Sequence, residues 1–301
     1  MQLTVNNNKV KLTNLDKVLW PEQNYTKKDL IKYYIDIYPL LKDYLKNRPL
    51  SLKIYPDGIK GKYFFQKNCP DYAPEWLSKF KIYSRNNKKS ITWIIVNKLS
   101  DLVWIANKAS IELHGWFSTT EHLDKPDFAV FDLDPGNNST FSDTVETALL
   151  IKKMLDELEL KSFVKTSGKT GLHIFIPVDP VFSYKEIQNF LKSLAQIIIN
   201  YKPDLATIKW RKEKRLGKVY IDYRQNGRGK TIPAPYSLRP TSEATVSTPL
   251  KWSELYNDIN HIKPENFNLS SIFSRIDKYD NLWNNILSIK QKLPDFSKTI
   301  R

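Results

Sequence analysis

Three short stretches combine residue types that can do chemistry. Asp132 and Asp134 close the apolar run DFAVFDLDP (127–135). On a strand, residues two apart share a face. Both carboxylates then point the same way and can hold a hard cation such as Mg²⁺ or Mn²⁺. Asp before Pro and Gly is also ordinary turn chemistry, which is the plainer alternative. The second stretch is Ser167-Gly168-Lys169-Thr170-Gly171-Leu172-His173. Its GKT is not a P-loop, because that pattern needs Gly where Phe163 stands and a helix afterwards. A tight turn here can face its amides, the Ser167 hydroxyl and the His173 imidazole toward a phosphate; a plain hairpin turn with a surface His is the competing reading. The third is Asp222 inside the apolar strand KVYIDYRQ (218–225), with Arg215, Arg224, Arg228, Lys230 and Arg239 close in sequence. An acid there is costly unless paired or metal-bound. Acids that hold cations beside bases that hold phosphates suit a metal–triphosphate site, although a salt-bridged strand would use the same residues. Together, in a basic chain, the three stretches favour phosphoryl transfer on a nucleotide.

The elements that must position these groups can be read from periodicity. Residues 26–46 read as a helix capped by Thr26 with Asp29 three residues on, and Ser183 with Glu186 opens another. Ser142 is expected to open a third. SLKIY (51–55), KYFFQ (62–66), ITWIIV (91–96) and LVWIA (102–106) read as extended runs, and KSFVKT (161–166) pairs with GLHIFIPV (171–178) across the Gly-containing turn. Hairpins mixed with helices predict an α+β fold. Residues 251–301 read as a mostly helical tail packed on the body.

Composition narrows the function classes. The 301 residues carry 47 Lys plus Arg against 32 Asp plus Glu, so 47 − 32 gives +15. That excess favours a polyanionic partner, with solvated lysine faces as the bland alternative. A lone Cys69 excludes a disulfide framework or a Cys-based zinc cluster. No apolar run reaches the ~18 residues of a membrane span, and the N-terminus is no signal peptide. The expected address is the cytoplasm, with no membrane partner and association with the nucleoid.

FDLDP, TSG-x-x-GLH, IDY-x-QN-x-RGKT and PYSLR (235–239), in this order and spacing, resemble the polymerase domain of bacterial ligase D. That family belongs to the archaeo-eukaryotic primase superfamily and works in DNA end joining. NLDKVLWP (14–21), YFFQKN (63–68) and IELHGW (111–116) match as well, so the resemblance spans about residues 14–250. It implies one primase-polymerase domain over 1–301, with mixed and antiparallel sheets flanked by helices. The catalytic motifs would lie at 127–240 and the DNA-end-binding part at 10–70.

Carried over residue by residue, the resemblance makes Asp132, Asp134 and Asp222 the catalytic acids and the ligands of two Mn²⁺ or Mg²⁺ ions. Ser167, His173, His114, Gln225 and Arg239 would contact the incoming nucleotide. Family members often carry Lys where Thr170 stands; here Lys169 would supply that charge one residue away. Phe64 and Phe65 would stack on template or end bases, and Arg215 would support the templating strand. Asn14, Lys17 and Lys27 match a pocket for the 5′-phosphate of the downstream strand. The implied substrates are gapped or broken DNA and NTPs, ribonucleotides preferred. Ku and a separate ligase are possible partners, since the chain has no room for a ligase and is stand-alone or an excised domain. A metal-dependent nuclease would not need the Ser-Gly-x-x-Gly-x-His turn. A non-catalytic end-binding module would not need three acids. A de novo primase would not need the 5′-phosphate pocket.

Overall fold

The computed structural model describes residues 1–84, 88–257 and 262–294. Two hairpins open the chain: β1 (Gln2–Val5) with β2 (Asn8–Lys11), and β3 (Val18–Trp20) with β4 (Tyr25–Thr26). α1 (Lys27–Leu45) follows at once. The Thr26 hydroxyl accepts from the Asp29 amide, and the Asp29 carboxylate accepts from the Thr26 amide, so two otherwise orphaned donors are satisfied. Leu30, Tyr34, Ile37 and Leu41 recur at helical period and are all buried. The chain continues through β5 (Leu50–Ile54), β6 (Phe64–Gln66), β7 (Lys79–Ser84), β8 (Lys89–Ile94), α2 (Leu99–Asn107) and β9 (Ser110–Trp116). Next come β10 (Phe128–Pro135), α3 (Phe141–Glu157), β11 (Phe163–Thr166), β12 (Leu172–Pro177) and α4 (Tyr184–Tyr201). β13 (Ala206–Thr207), β14 (Val219–Asp222), β15 (Thr231–Pro233), β16 (Pro249–Leu250), α5 (Trp252–Asn257) and α6 (Ile272–Tyr279) complete the elements.

Two six-stranded sheets organise the body. The first runs β15-β9-β5-β8-β7, with β6 also paired to β5; the second runs β13-β14-β10-β12-β11-β16. All pairs are antiparallel except β13 with β14. This is the α+β architecture expected. α3 and α4 cover one face of the second sheet, where Phe131, Leu133, Ile174, Ile176 and Ile221 join Val145, Ile151, Ile187 and Leu191 in one core. On the opposite face Phe128, Val130 and Phe175 pack into a second core, and the polar residues lie beyond them. At the start of β10 the Arg48 guanidinium grips the Asp127 carboxylate through both oxygens, at 2.8 and 2.5 Å.

Four local expectations are corrected. LVWIA (102–106) lies in α2, not in a strand. Its residues are buried all round, so a short apolar run carried no period to separate helix from strand. The Asp101 carboxylate fixes the helix start, accepting from the amides of Ser78, Asn97 and Lys98. α3 is capped by Thr140 rather than opened by Ser142, because Thr140 has its acid, Asp143, three residues on. The strand read over 218–225 stops at Asp222 and becomes a 3₁₀ turn, Tyr223–Gln225. The segment after 251 is short helices joined by irregular stretches, with Ile272, Trp283 and Ile286 buried in that second core, shared with α1, α2, β5 and β9; its last residues, 295–301, lie outside the described residues.

Asn226 explains why the strand can stop. It is fully buried, and its side-chain oxygen accepts from the Val130 amide at 2.8 Å while its nitrogen donates to the Val130 carbonyl at 2.7 Å. One side chain thus does for β10 what another residue of β14 would have done.

Candidate active site

The strand order brings four polar residues into one row. Across β11, β12, β10 and β14, Lys165 sits opposite His173, His173 opposite Asp132, and Asp132 opposite Asp222. Residues opposite each other share a face, so the row points away from the α3–α4 core. Asp134 lies two residues along β10 on that same face. The sequence alternation is realised: Phe131 and Leu133 are buried, whereas Asp132 and Asp134 are half-buried.

The row is bonded end to end. Lys165 Nζ lies 2.7 Å from His173 Nδ1, and His173 Nε2 lies 3.2 Å from Asp132 Oδ1. Burial, then the charges of Lys165, Arg239 and His114, hold the His173 pKa well below the usual value. A neutral imidazole that accepts from Lys165 at Nδ1 carries its proton on Nε2 and presents it to Asp132. Lys165, also bonded to Ser247, is itself pushed well below the ordinary lysine range by burial and by Arg239.

The three acids are only partly compensated. Burial raises the Asp132 carboxyl, with Lys165, Arg239 and Arg215 opposing. Burial and then the charge of Asp132 raise Asp134, and Asp222 adds to the same effect. Asp222 is raised by burial and by Asp132, even though its Oδ1 accepts from the Gln225 amide at 3.1 Å. Carboxylates that repel one another on a rigid sheet form a place for a divalent cation. Among the described residues no three His, Cys, Asp or Glu side chains already close into a cage. An open pair of carboxylates that leaves room for phosphate oxygens and water is the manner in which Mg²⁺-type ions are held, so the donor set fits.

Asp132 and Asp134 form one wall of a cleft of about 230 Å³. Ser167, Lys169, Thr170, His173, His114, Gln225 and Arg239 line the rest with the 231–233 strand. All eight expected metal- and nucleotide-contacting residues other than Asp222 therefore line one space; Asp222 borders it as Asp132's cross-strand partner. The Ser167 hydroxyl accepts from the amides of Lys169 and Gly171, at 3.1 and 3.0 Å, which winds the turn tight. Gly171 is needed because a Cβ would stand 2.1 Å from the Leu133 carbonyl oxygen. Gly168 has φ +73, and a Cβ there would meet the Arg239 side chain at 2.6 Å. Arg239 is buried; its Nε stands 3.3 Å from Glu112, and among the described residues its Nη1 has no hydrogen-bond partner. An orphaned guanidinium donor beside a cleft suits a phosphate oxygen.

Residues that sequence reasoning missed complete this side. Glu112 is buried at the centre of a hub. Tyr55 donates to it at 3.0 Å, Lys53 Nζ lies at 3.0 Å, His114 Nε2 at 3.0 Å and Arg239 Nε at 3.3 Å. Burial alone would raise its pKa, but the His114 hydrogen bond and the charges of Arg239, His114 and Lys53 hold it well below the usual carboxylate range. Lys53 also stands 4.0 Å from the Tyr63 ring centre and 5.6 Å from that of Phe65. Lys53, Glu112 and Lys165 all share the signal used for Asp222, a charge inside an apolar strand.

The remaining expected residues fall at three places. Phe64 and Phe65 are half-exposed on β6, at 50% and 54%, and Phe65 packs edge-on against His114. Arg215 is buried, not on an open surface: its guanidinium stacks 3.9 Å from the Tyr220 ring centre, and its charge reaches Asp132 and Asp134. Asn14, Lys17 and Lys27 gather at the start of α1. Lys17 reaches Asp57 at 2.6 Å, and Lys27, the first helical residue, donates to the Asn107 carbonyl at 3.0 Å. Burial, then the charges of Lys108 and Lys17, lower the Lys27 pKa. Three cations therefore converge on this spot, Lys108 being the one the sequence did not suggest.

Comparison with known proteins agrees with this geometry. A family model described as LigD, primase-polymerase domain, matches residues 26–283. The bifunctional non-homologous end joining protein LigD of Bacillus subtilis is 35% identical over 271 residues, 90% of this chain and 43% of that protein. The multifunctional LigD of Mycolicibacterium smegmatis is 32% identical over 91% of this chain and 35% of its own length. The chain thus spans less than half the length of these curated relatives. Among solved structures, the polymerase domain of Mycobacterium tuberculosis ligase D in complex with DNA superposes with a TM-score of 0.85 at 31% identity, covering 94% of this chain and 99% of that one.

Proposed function

The chain belongs to the LigD primase-polymerase domain family, and from that premise we propose that it adds nucleotides, ribonucleotides by preference, to primer 3′ ends at gaps and double-strand breaks. The observation that carries the reading is the shared cleft: two repelling carboxylates on one wall with Asp222 at its border, an unpartnered guanidinium donor and the Ser167 turn on the other. When bound, divalent ions would neutralise the triphosphate and lower the pKa of the primer hydroxyl; Asp132 and Asp134 would hold them, with Asp222 on the primer side. Arg239 and Lys169 bind the triphosphate, and the Ser167 turn orients it. His173, fixed by Lys165, holds Asp132 in place. His114, tied to Glu112, presents its free ring nitrogen to the nucleotide. Gln225 faces the same space. In-line displacement needs such positioning more than covalent help.

DNA would be engaged at two further places. Phe64 and Phe65 offer a stacking surface for bases, with Arg215 steadying the acid-bearing wall beside the template. Asn14, Lys17, Lys27 and Lys108 form the 5′-phosphate pocket, at the N-terminus of α1 where the helix dipole favours an anion. A DNA ligase and Ku would complete the repair in trans. Among the described residues no helix is long and apolar enough to cross a membrane, and the charge suits association with the nucleoid.

The deciding experiment is extension of a 5′-phosphorylated gapped duplex with ribo- or deoxynucleotides in Mn²⁺ or Mg²⁺. Templated addition, faster with ribonucleotides, is expected. Release of nucleotides instead would make the protein a nuclease, and binding without turnover would make it an end-binding module.

A further inference from the structure

Behind the 3₁₀ turn that follows Asp222 lies a second cleft, of about 350 Å³. α4 forms one wall with Lys185, Gln188 and Lys192; Arg224 and Lys230 stand on the other. The α4 positions fall at i, i+3 and i+7, so they share a face, while Ile187, Leu191 and Leu194 bury the opposite one. The four cations are exposed. No acid lines this cleft, and among the described residues none of the four forms an ion pair. The walls are tied together: Gln188 Nε2 and Lys230 Nζ both donate to the Arg224 carbonyl, at 3.3 and 2.9 Å.

This cleft and the active-site cleft are two sides of one partition. Gln225 and Thr231, bonded to each other at 2.6 Å, face the active site. Arg224 and Lys230, the residues immediately before them, face the second cleft. The charge of Lys230 reaches Asp222 across the partition. Triphosphate donors lie on the β12 side of Asp132, whereas Asp222 lies on the β14 side. A primer hydroxyl therefore approaches over Asp222, and the strand behind it runs over the 223–225 turn.

We infer that the Lys185–Lys192 face of α4, with Arg224 and Lys230, binds the phosphodiester backbone of the primer strand just behind its 3′ end. The inference rests on the polymerase reading, because it needs a primer to extend. Four uncompensated cations in a groove beside the acid that faces the 3′ end match a run of backbone phosphates, which lysine and arginine bind without regard to sequence.

The test is the double variant Lys185→Glu/Lys192→Glu, with Lys185→Gln/Lys192→Gln as a milder second variant; both lie on an exposed helix face. Binding of primer–templates whose primer is shortened stepwise from its 5′ end is read by fluorescence anisotropy, and primer KM by extension. The wild type should lose affinity as the primer shortens. The variants should bind long primers no better than the wild type binds the shortest one, and the log–log salt slope should fall by about two. The KM for the nucleotide should not move. Unchanged affinity for long primers, or equal loss on long, short and unprimed templates, would overturn the inference. Anisotropy needs no turnover, so a wild type that binds in this length-dependent way yet extends nothing would sink the polymerase reading and leave the primer cleft standing.

Discussion

A buried carboxylate and a half-buried trio of them stand near one cleft, and their electrostatics are opposite. Glu112 is ringed by Lys53, His114 and Arg239 and is held ionised. Asp132, Asp134 and Asp222 face one another and are pushed toward the neutral form. The first group is finished by the fold. The second is left incomplete, and so is the Arg239 Nη1 donor beside it. Unfinished electrostatics mark where ligands enter, whereas a satisfied hub marks what holds the walls apart.

The comparison can be broken most directly at the acids. Asp132→Ala or Asp134→Ala should lower nucleotide addition by on the order of 10³-fold or more, the upper range for a lost electrostatic stabiliser. DNA affinity should survive, because cations elsewhere hold the DNA. Parallel loss of binding and turnover in filter-binding and extension assays would mean the acids are structural after all. Glu112→Gln should act in the reverse sense. It leaves Lys53 and Arg239 around a neutral amide and should cost about 3 kcal/mol in a thermal or urea melt, as breaking a buried charged network does. Its pH signature follows from the lowered pKa. A depressed acid contributes stability that is present above its unfolded value of 4.5 and is lost as pH falls toward the folded value. Wild type and variant melts should therefore converge below that pH; a gap that widens on acidification would contradict the hub.

A third measurement sharpens the contrast. At a free concentration roughly 100-fold above its dissociation constant, Mn²⁺ should stabilise the wild type by about 2.7 kcal/mol. The Asp132→Ala protein should not respond, and Glu112→Gln should respond as fully as wild type. The smallest effect concerns the mirror-image cluster at α1, where cations rather than acids crowd together. The wild type should fill 5′-phosphorylated gaps better than 5′-hydroxyl gaps by about tenfold, corresponding to one charge-assisted contact near 1.5 kcal/mol. Lys17→Ala/Lys27→Ala should erase that difference while simple primer extension persists. Equal weakening on both DNAs would reduce the lysines to a general field.

How much of this was legible in the sequence depends on how local each signal is. Asp132 and Asp134 could be paired from alternation alone, and the hairpin of β11 with β12 from the turn between them. Capping boxes at Thr26 and Ser183 marked helix starts. α2 was misread because a fully buried segment has no polar face to reveal its period. The row Lys165–His173–Asp132–Asp222 was not legible, since it depends on a strand order, β11-β12-β10-β14, that crosses sequence separations of dozens of residues. Glu112 was passed over within IELHGW, although a lone acid in an apolar strand was the cue already applied to Asp222.

Asn226 carries one more consequence, for chemical ageing. Asn followed by Gly is the dipeptide most prone to lose its amide, through attack of the next backbone nitrogen on the side-chain carbonyl. Here the Gly227 amide is bonded to the Gln225 carbonyl at 2.8 Å, and both side-chain atoms of Asn226 are bonded to Val130. The folded protein thus shields the very bond whose loss it could not tolerate: an aspartate there would set a carboxylate against the Val130 carbonyl. Each excursion to the unfolded chain lifts that shield, so damage should accumulate with time spent unfolded, and the lesion would fall on the residue that lets β14 end beside the catalytic acid.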